Sequence, residues 1–204
     1  MNIVLGSNNK HKAQEIQSII DNIAPDIIKI CLPNQVSSEF FDVEETGDTL
    51  EQNALIKSTA FFKFTQIPTI SDDTGLEIDF LNGEPGVKSA RFSGVHGNDE
   101  NNRKKVLDLL SNQPFENRKA KFRTVISYTD IDGSWYAEGI CNGIISFVEK
   151  GSNGFGYDSI FIPNGYNCCF AEMDSELKNS ISHRKKAIEN FIRLFLSINR
   201  LKVC

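Results

Sequence analysis

The sequence lacks any apolar run approaching the ~20 residues needed to span a membrane. Its start is apolar only at Ile3, Val4 and Leu5 before turning polar, so neither a membrane segment nor a signal peptide is predicted. Basic residues are not in excess. A net charge of −5 argues against a general nucleic-acid binder, which needs many cationic phosphate contacts. There is no C-x-x-C pair, and the five cysteines (Cys31, Cys141, Cys168, Cys169 and Cys204) are odd in number. Reduced thiols and a cytoplasmic setting are therefore expected. Repeats, low-complexity tracts and linkers are missing, which favours a single domain over all 204 residues, with room for two lobes. The Walker pattern G-x-x-x-x-G-K-[ST] is also absent.

What is present centres on Thr69-Ile70-Ser71-Asp72-Asp73-Thr74-Gly75-Leu76. Two adjacent carboxylates sit where an apolar segment breaks at a glycine. Buried without partners they would repel each other at high cost. A hard cation such as Mg²⁺ removes that cost. The same composition suits an exposed acidic turn, and these residues alone do not separate the two readings.

Around this stretch the periodicity alternates between strand and helix. Residues 2–6 read as a strand running into Ser7, Asn8 and Asn9. From Lys10, the positions Ala13, Ile16, Ile19, Ile20 and Ile23 recur at helical spacing. Such a strand, turn and helix start aims backbone N–H groups at an anion, and Lys10 and Lys12 add charge there. A plain capped helix is the competing reading. Residues 27–32 predict a second strand. An acidic loop, 43–49, follows. The next helix is capped by Asp48 with Glu51 or by Thr49 with Gln52, and carries Lys57. Residues 68–71 and 76–81 are two apolar segments flanking the Asp pair, the second alternating as a half-buried strand does. Residues 82–97 predict a loop containing Ser89-Ala90-Arg91, and 98–110 a short helix. Residues 120–131 and 135–148 predict long strands joined at Asp132-Gly133.

In Gly154-Phe155-Gly156-Tyr157-Asp158, two glycines flank an aromatic. They let the backbone approach a ligand while Phe155 offers a flat face. A short strand is predicted over 159–163. The last helix opens with Ser182-His183-Arg184, where cations oppose the helix dipole, a misfit that hints at function. Anion-binding helix start, carboxylates, aromatic platform and the donors Lys178, His183 and Arg184 together describe a Mg-dependent nucleotide enzyme.

The ordered motifs resemble the inosine triphosphate pyrophosphatase family, hydrolases of deaminated purine triphosphates. The matching pieces are Ser7-Asn8-Asn9-Lys10-His11-Lys12, Glu44-Glu45-Thr46-Gly47, Asn53-Ala54 with Lys57, and Ser71-Asp72-Asp73-Thr74-Gly75-Leu76. Pro85-Gly86 with Ser89-Ala90-Arg91, Gly154 to Asp158, and Ser182-His183-Arg184 complete the set, in the family's order over nearly the whole chain. The resemblance implies a mixed α/β fold with an elongated central β-sheet flanked by helices, in two lobes with the active-site cleft between them, and commonly a homodimer. It implies hydrolysis of ITP, dITP and XTP to the monophosphate and pyrophosphate with Mg²⁺.

Carried onto this chain, the resemblance makes Asp73 the proton acceptor and a metal ligand, Glu44 a second ligand and Asp72 their support. Ser7, Asn8, Asn9, Lys10, His11, Lys12 and Lys57 would hold the phosphates, and Thr74 would contact substrate. Phe155, Gly156, Tyr157, Asp158, Lys178, His183 and Arg184 would grip the nucleoside. The chemistry of these residue types admits Asp73 either as general base or as metal ligand alone. Two departures stand out: the opening turn is Ser-Asn-Asn where the family usually has Thr-Gly-Asn, and Gln52 stands where many members carry Glu. A pyrophosphatase for other modified nucleotides, or a nucleotide-binding sensor without turnover, are the competing functions.

Overall fold

The computed structural model describes residues 1–95 and 97–201, apart from the side chains of His11, Arg200 and Leu201. The mixed α/β class expected from the sequence is the one observed. Among the described residues there are five α-helices: α1 (Lys10–Ile23), α2 (Leu50–Thr65), α3 (Asp99–Leu109), α4 (Ser175–Ile181) and α5 (His183–Leu201). The seven strands are β1 (Asn2–Leu5), β2 (Lys29–Cys31), β3 (Thr69–Ile78), β4 (Pro85–Gly86), β5 (Lys119–Asp130), β6 (Gly133–Ile145) and β7 (Phe161–Pro163). They form one sheet in the order β2-β1-β3-β5-β6-β7, with β4 paired to β3. Among the described residues no helix is long and apolar enough to cross a membrane. Cys31, Cys141, Cys168 and Cys169 are free thiols; Cys204 lies outside the described residues.

The chain divides into two compact units. Unit 1 holds residues 1–73, 124–139 and the chain from Arg184 on; unit 2 holds 74–123 and 140–183. In unit 1, β1 pairs in parallel with β2 (Val4 opposite Cys31) and with β3 (Leu5 opposite Ile70). Parallel neighbours need crossover connections, and α1 and α2 supply them. The amphipathic faces of α1 and α5 bury Ile16, Ile20, Ile188 and Phe191 against Ile3, Leu5 and Ile126. An aromatic stack, Tyr128 on Trp135 at 5.0 Å and Trp135 on Phe191 at 5.4 Å, extends that core. At Gly6, just past β1, a Cβ would crowd the Ser71 side chain of β3.

Unit 2 has its own core of Leu76, Ile78, Val106, Phe122, Phe161 and Phe170. β7 pairs antiparallel with β6, Ile144 opposite Ile162. Its buried Arg118 is 1 % exposed. The guanidinium donates to the carbonyls of Leu110 (2.6 Å), Ile145 (2.7 Å) and Ser146 (2.6 Å), so a charge inside the unit ties a helix end to the end of β6.

Three features differ from the sequence expectation. Helix α4 forms in a polar stretch for which no element is expected, its start capped by Asp174, which accepts the Leu177 N–H at 2.7 Å. The Asp pair lies in neither a turn nor a gap between segments: β3 runs unbroken from Thr69 to Ile78. Cations on both faces of β3 compensate the acidic residues, which lets the strand continue. The predicted loop at 82–97 contains the short strand β4 and a 3-10 turn over Ser89–Arg91. There Ser89 Oγ accepts the Leu76 N–H at 2.9 Å and donates to the Gly86 carbonyl at 2.6 Å.

Replacing Arg118 by Met orphans three buried carbonyls, so the variant should lose about 3 kcal/mol or more of unfolding free energy in urea titration, with Arg118→Lys recovering part of it.

Candidate functional site

The first group of site residues belongs to unit 1 and is assembled from the starts of α1, α2 and α5 around β3. Side chains alternate along a strand, so Asp72 and Asp73 leave β3 on opposite faces. Asp72 is 3 % exposed. Lys12 Nζ stands 2.9 Å from its Oδ1, and Arg184 Nε stands 3.6 Å from its Oδ2. Arg184 also donates through Nη1 to both oxygens of Glu15, at 3.1 and 2.9 Å. Glu15 lies one turn beyond Lys12 on α1, so both reach the same place.

Lys12 is placed by the helix start. Asn9 caps α1, its Oδ1 accepting the Lys12 N–H at 3.1 Å, and Ser7 Oγ accepts the Asn9 N–H at 3.2 Å. Asn8 donates to the Phe41 carbonyl at 3.0 Å. Lys10 opens the helix on the surface. His11 is helical, with a side chain outside the described residues.

Asp73 faces α2. Asn53 Nδ2 donates to its Oδ2 at 3.1 Å, while Asn53 Oδ1 accepts the Gly47 N–H at 2.7 Å and so fixes the acidic loop. Lys57, one turn further along α2, is buried. Its Nζ donates to Glu45 at 2.5 Å and to the Asp72 carbonyl at 2.8 Å, and lies 3.8 Å from Asp73 Oδ1. The cap of α2 is the Thr49 and Gln52 pair: Thr49 Oγ1 accepts the Gln52 N–H, and Gln52 Oε1 accepts the Asp48 N–H. Gln52 therefore serves the helix start with its amide. Of the two glutamates in the loop, Glu45 reaches Lys57, whereas Glu44 is exposed. Among the described residues no three His, Cys, Asp or Glu side chains are gathered into a ready metal cage.

The two aspartates are driven in opposite directions. Burial alone would raise Asp72, but the charges of Lys12, Arg184 and Lys57 hold it below the usual carboxylate range. Burial pushes Asp73 up to about 6; Lys57 opposes this, and the charge of Glu45 adds to it. Burial would lower Lys57, but Asp73, Glu45 and Asp72 outweigh it and raise the ammonium above its ordinary value. Two adjacent carboxylates with opposed ionisation thus stand side by side.

The second group lies in unit 2. Gly154 has φ +76°, and a Cβ there would lie 2.1 Å from Asp158 Oδ2, so the turn needs glycine. Asp158 is buried; its Oδ2 accepts the Phe155 N–H at 2.9 Å and an ion pair from Lys178 at 2.6 Å. Tyr157 is buried and donates its hydroxyl to the Ser89 carbonyl at 2.8 Å. Phe155 is left 63 % exposed, with Lys178 Nζ 5.1 Å from its ring centre. His183 is buried with its ring stacked on Phe122 at 4.6 Å. Tyr157 and Asp158 hold the loop, and Phe155 is what it presents. Sequence reading passed over Glu15. Its signal was its spacing of three residues from Lys12, which becomes informative once both sit over a buried carboxylate.

The Ham1 family's sequence pattern matches residues 3–194. A curated protein from Flavobacterium johnsoniae named dITP/XTP pyrophosphatase is 43% identical over 195 residues, covering 95% of this chain and 97% of its own. One of the same name from Desulforamulus reducens is 41% identical, covering 100% of this chain and 98% of its own. Among solved structures, the Staphylococcus aureus Ham1 protein superposes with a TM-score of 0.85 at 38% identity, covering 98% of this chain and 100% of that one. A HAM1 protein from Coxiella burnetii superposes with a TM-score of 0.86 at 35% identity, covering 97% and 99%. With a match over nearly its whole length in both sequence and fold, this chain belongs to the Ham1 family.

Proposed function

We propose that this chain hydrolyses the deaminated purine nucleoside triphosphates ITP, dITP and XTP to the monophosphate and pyrophosphate, removing them from the nucleotide pool. The names of its curated relatives support the reading. The observation that carries it in this chain is the pair of neighbouring carboxylates pushed apart in ionisation beside two lysines. We further propose that the chain acts in the cytoplasm as a homodimer, and that its two units serve as halves of one nucleotide-processing domain.

Attack by water on the α-phosphorus needs a proton acceptor and neutralisation of the leaving pyrophosphate. Asp73, titrating at about 6, is ionised at neutral pH yet more basic than an ordinary carboxylate. It is the proton acceptor of this reading. Lys57, Lys12, Lys10 and the helix start from Ser7 to Asn9 take the triphosphate, and Thr74 is assigned a substrate contact. Asp72 keeps Lys12 oriented.

The residues fit Mg²⁺. Glu45 and Asp73 both offer carboxylate oxygens near Lys57, and this cation is commonly held by one or two carboxylates with water and phosphate oxygens completing the set. Asp73 of β3 and Glu44 of the acidic loop are the proposed ligands, with Glu45, the partner of Lys57, adjacent to Glu44 in the loop. When bound, the ion supplies positive charge to the phosphate oxygens.

The nucleoside is assigned to unit 2 and the start of α5. Phe155 offers the base a face, with Gly156, Tyr157 and Asp158 shaping the turn and Lys178 and His183 close by. Arg184 is the proposed donor to a 6-oxo group, giving up its Glu15 contact to reach it. Adenine presents an amino group at that position, and each buried donor-to-donor mismatch costs ~1–3 kcal/mol.

Product analysis tests the reaction: ITP and XTP with Mg²⁺ should yield pyrophosphate, and ATP very little. Orthophosphate as the first product would point to a phosphatase. Asp73→Asn should lower turnover by at least about a hundredfold with the fold retained by circular dichroism, and near-normal turnover would remove Asp73 from the mechanism. In the metal-free protein the Asp73 carboxyl carbon should titrate by NMR at about 6. Mg²⁺ should move that midpoint down, because a cation favours the carboxylate; an unmoved midpoint would exclude Asp73 as a ligand.

A further inference from the structure

The loop that presents Phe155 is anchored in the core of unit 2 by Tyr157, but Phe155 and Gly156 lie outside that packing. A cavity of about 160 Å³ is lined by Arg103, Glu149 and loop residues including Phe155 and Gly156. At Gly156 the ties are polar and come from α3. Asp99 Oδ2 accepts the Gly156 N–H at 2.9 Å, and Arg103 Nη1 donates to the Gly156 carbonyl at 2.9 Å. The two side chains are four residues apart, on one face of α3. Together they take both polar groups of the residue that follows Phe155. Arg103 is itself braced, its Nε donating to Glu149 Oε2 at 2.7 Å, where Ser159 Oγ also donates at 3.0 Å.

We propose that Asp99 and Arg103 are positioning residues for nucleoside binding: by gripping Gly156 from α3 they fix the orientation in which Phe155 meets the base. The proposal rests on the reading of function above. Neither side chain touches the reacting atoms. A loop lacking these ties samples several orientations, and ordering it on binding weakens affinity without altering the chemical step. Phe155 is an exposed side chain whose orientation is set by the backbone that carries it.

The test is the steady-state kinetics of ITP hydrolysis by the full-length chain. Asp99→Ala and Arg103→Met should each raise KM about tenfold with kcat within about twofold. Asp99→Asn keeps an oxygen acceptor for the Gly156 N–H and should retain the wild-type KM. Inhibition by inorganic tripolyphosphate, which has no base, should be unchanged in all three, and amide exchange over 154–158 should quicken in the first two. An unchanged KM in Asp99→Ala and Arg103→Met overturns the proposal, as does a parallel loss of tripolyphosphate inhibition, which signals general damage. A wild-type chain that releases no pyrophosphate from ITP overturns the reading of function instead.

Discussion

The buried carboxylate of Asp72 is the constraint on which unit 1 depends. A carboxylate removed from water costs several kcal/mol unless it is paired. Here it is paired from two helices at once, by Lys12 of α1 and Arg184 of α5, while its own backbone carbonyl takes Lys57 from α2. One residue of β3 therefore sets the approach of three helix segments to the strand. The cations in the first turn of α5 look misplaced against the helix dipole. Arg184 is there because Asp72 and Glu15 require it, and both raise its affinity for the proton above the ordinary value despite burial.

With Asp72 neutralised by its partners, its neighbour is left to a different environment. Asp73 receives one amide donor from Asn53 and a more distant ammonium from Lys57, with Glu45 adding like charge. Strand alternation makes the difference possible, since adjacent residues on β3 face different helices. A carboxylate held ionised and one whose ionisation is opposed are thus consecutive in sequence, and the acidic loop is tied into the arrangement through Asn53 and Gly47.

Unit 2 solves another problem: keeping a large aromatic exposed and oriented. Buried Asp158 and Tyr157 and the half-buried peptide of Gly156 carry the hydrogen bonds, and Phe155 carries none of that burden through its ring. The core of Phe122, Phe161 and Phe170 and the internal guanidinium of Arg118 give the loop a firm base.

Much of this was legible in the chain itself. Helical spacing from Lys10 and from Leu50, alternation beyond Leu76, and the Asp132-Gly133 turn gave the elements to within a few residues, because local periodicity is written in the chain. The ordered motifs marked nearly all the residues gathered in the two groups. The continuity of β3 through two aspartates was not legible, because an acidic pair reads as a turn until its partners are known. Nor was the contact that distinguishes Glu45 from Glu44, or the part played by Glu15, Asp99 and Arg103. The sequence by itself determined which chemistry the chain carries and where most of its helices and strands lie. Tertiary structure decided which carboxylate is clamped and which is poised, because ionisation follows from charges brought close by residues far apart along the chain.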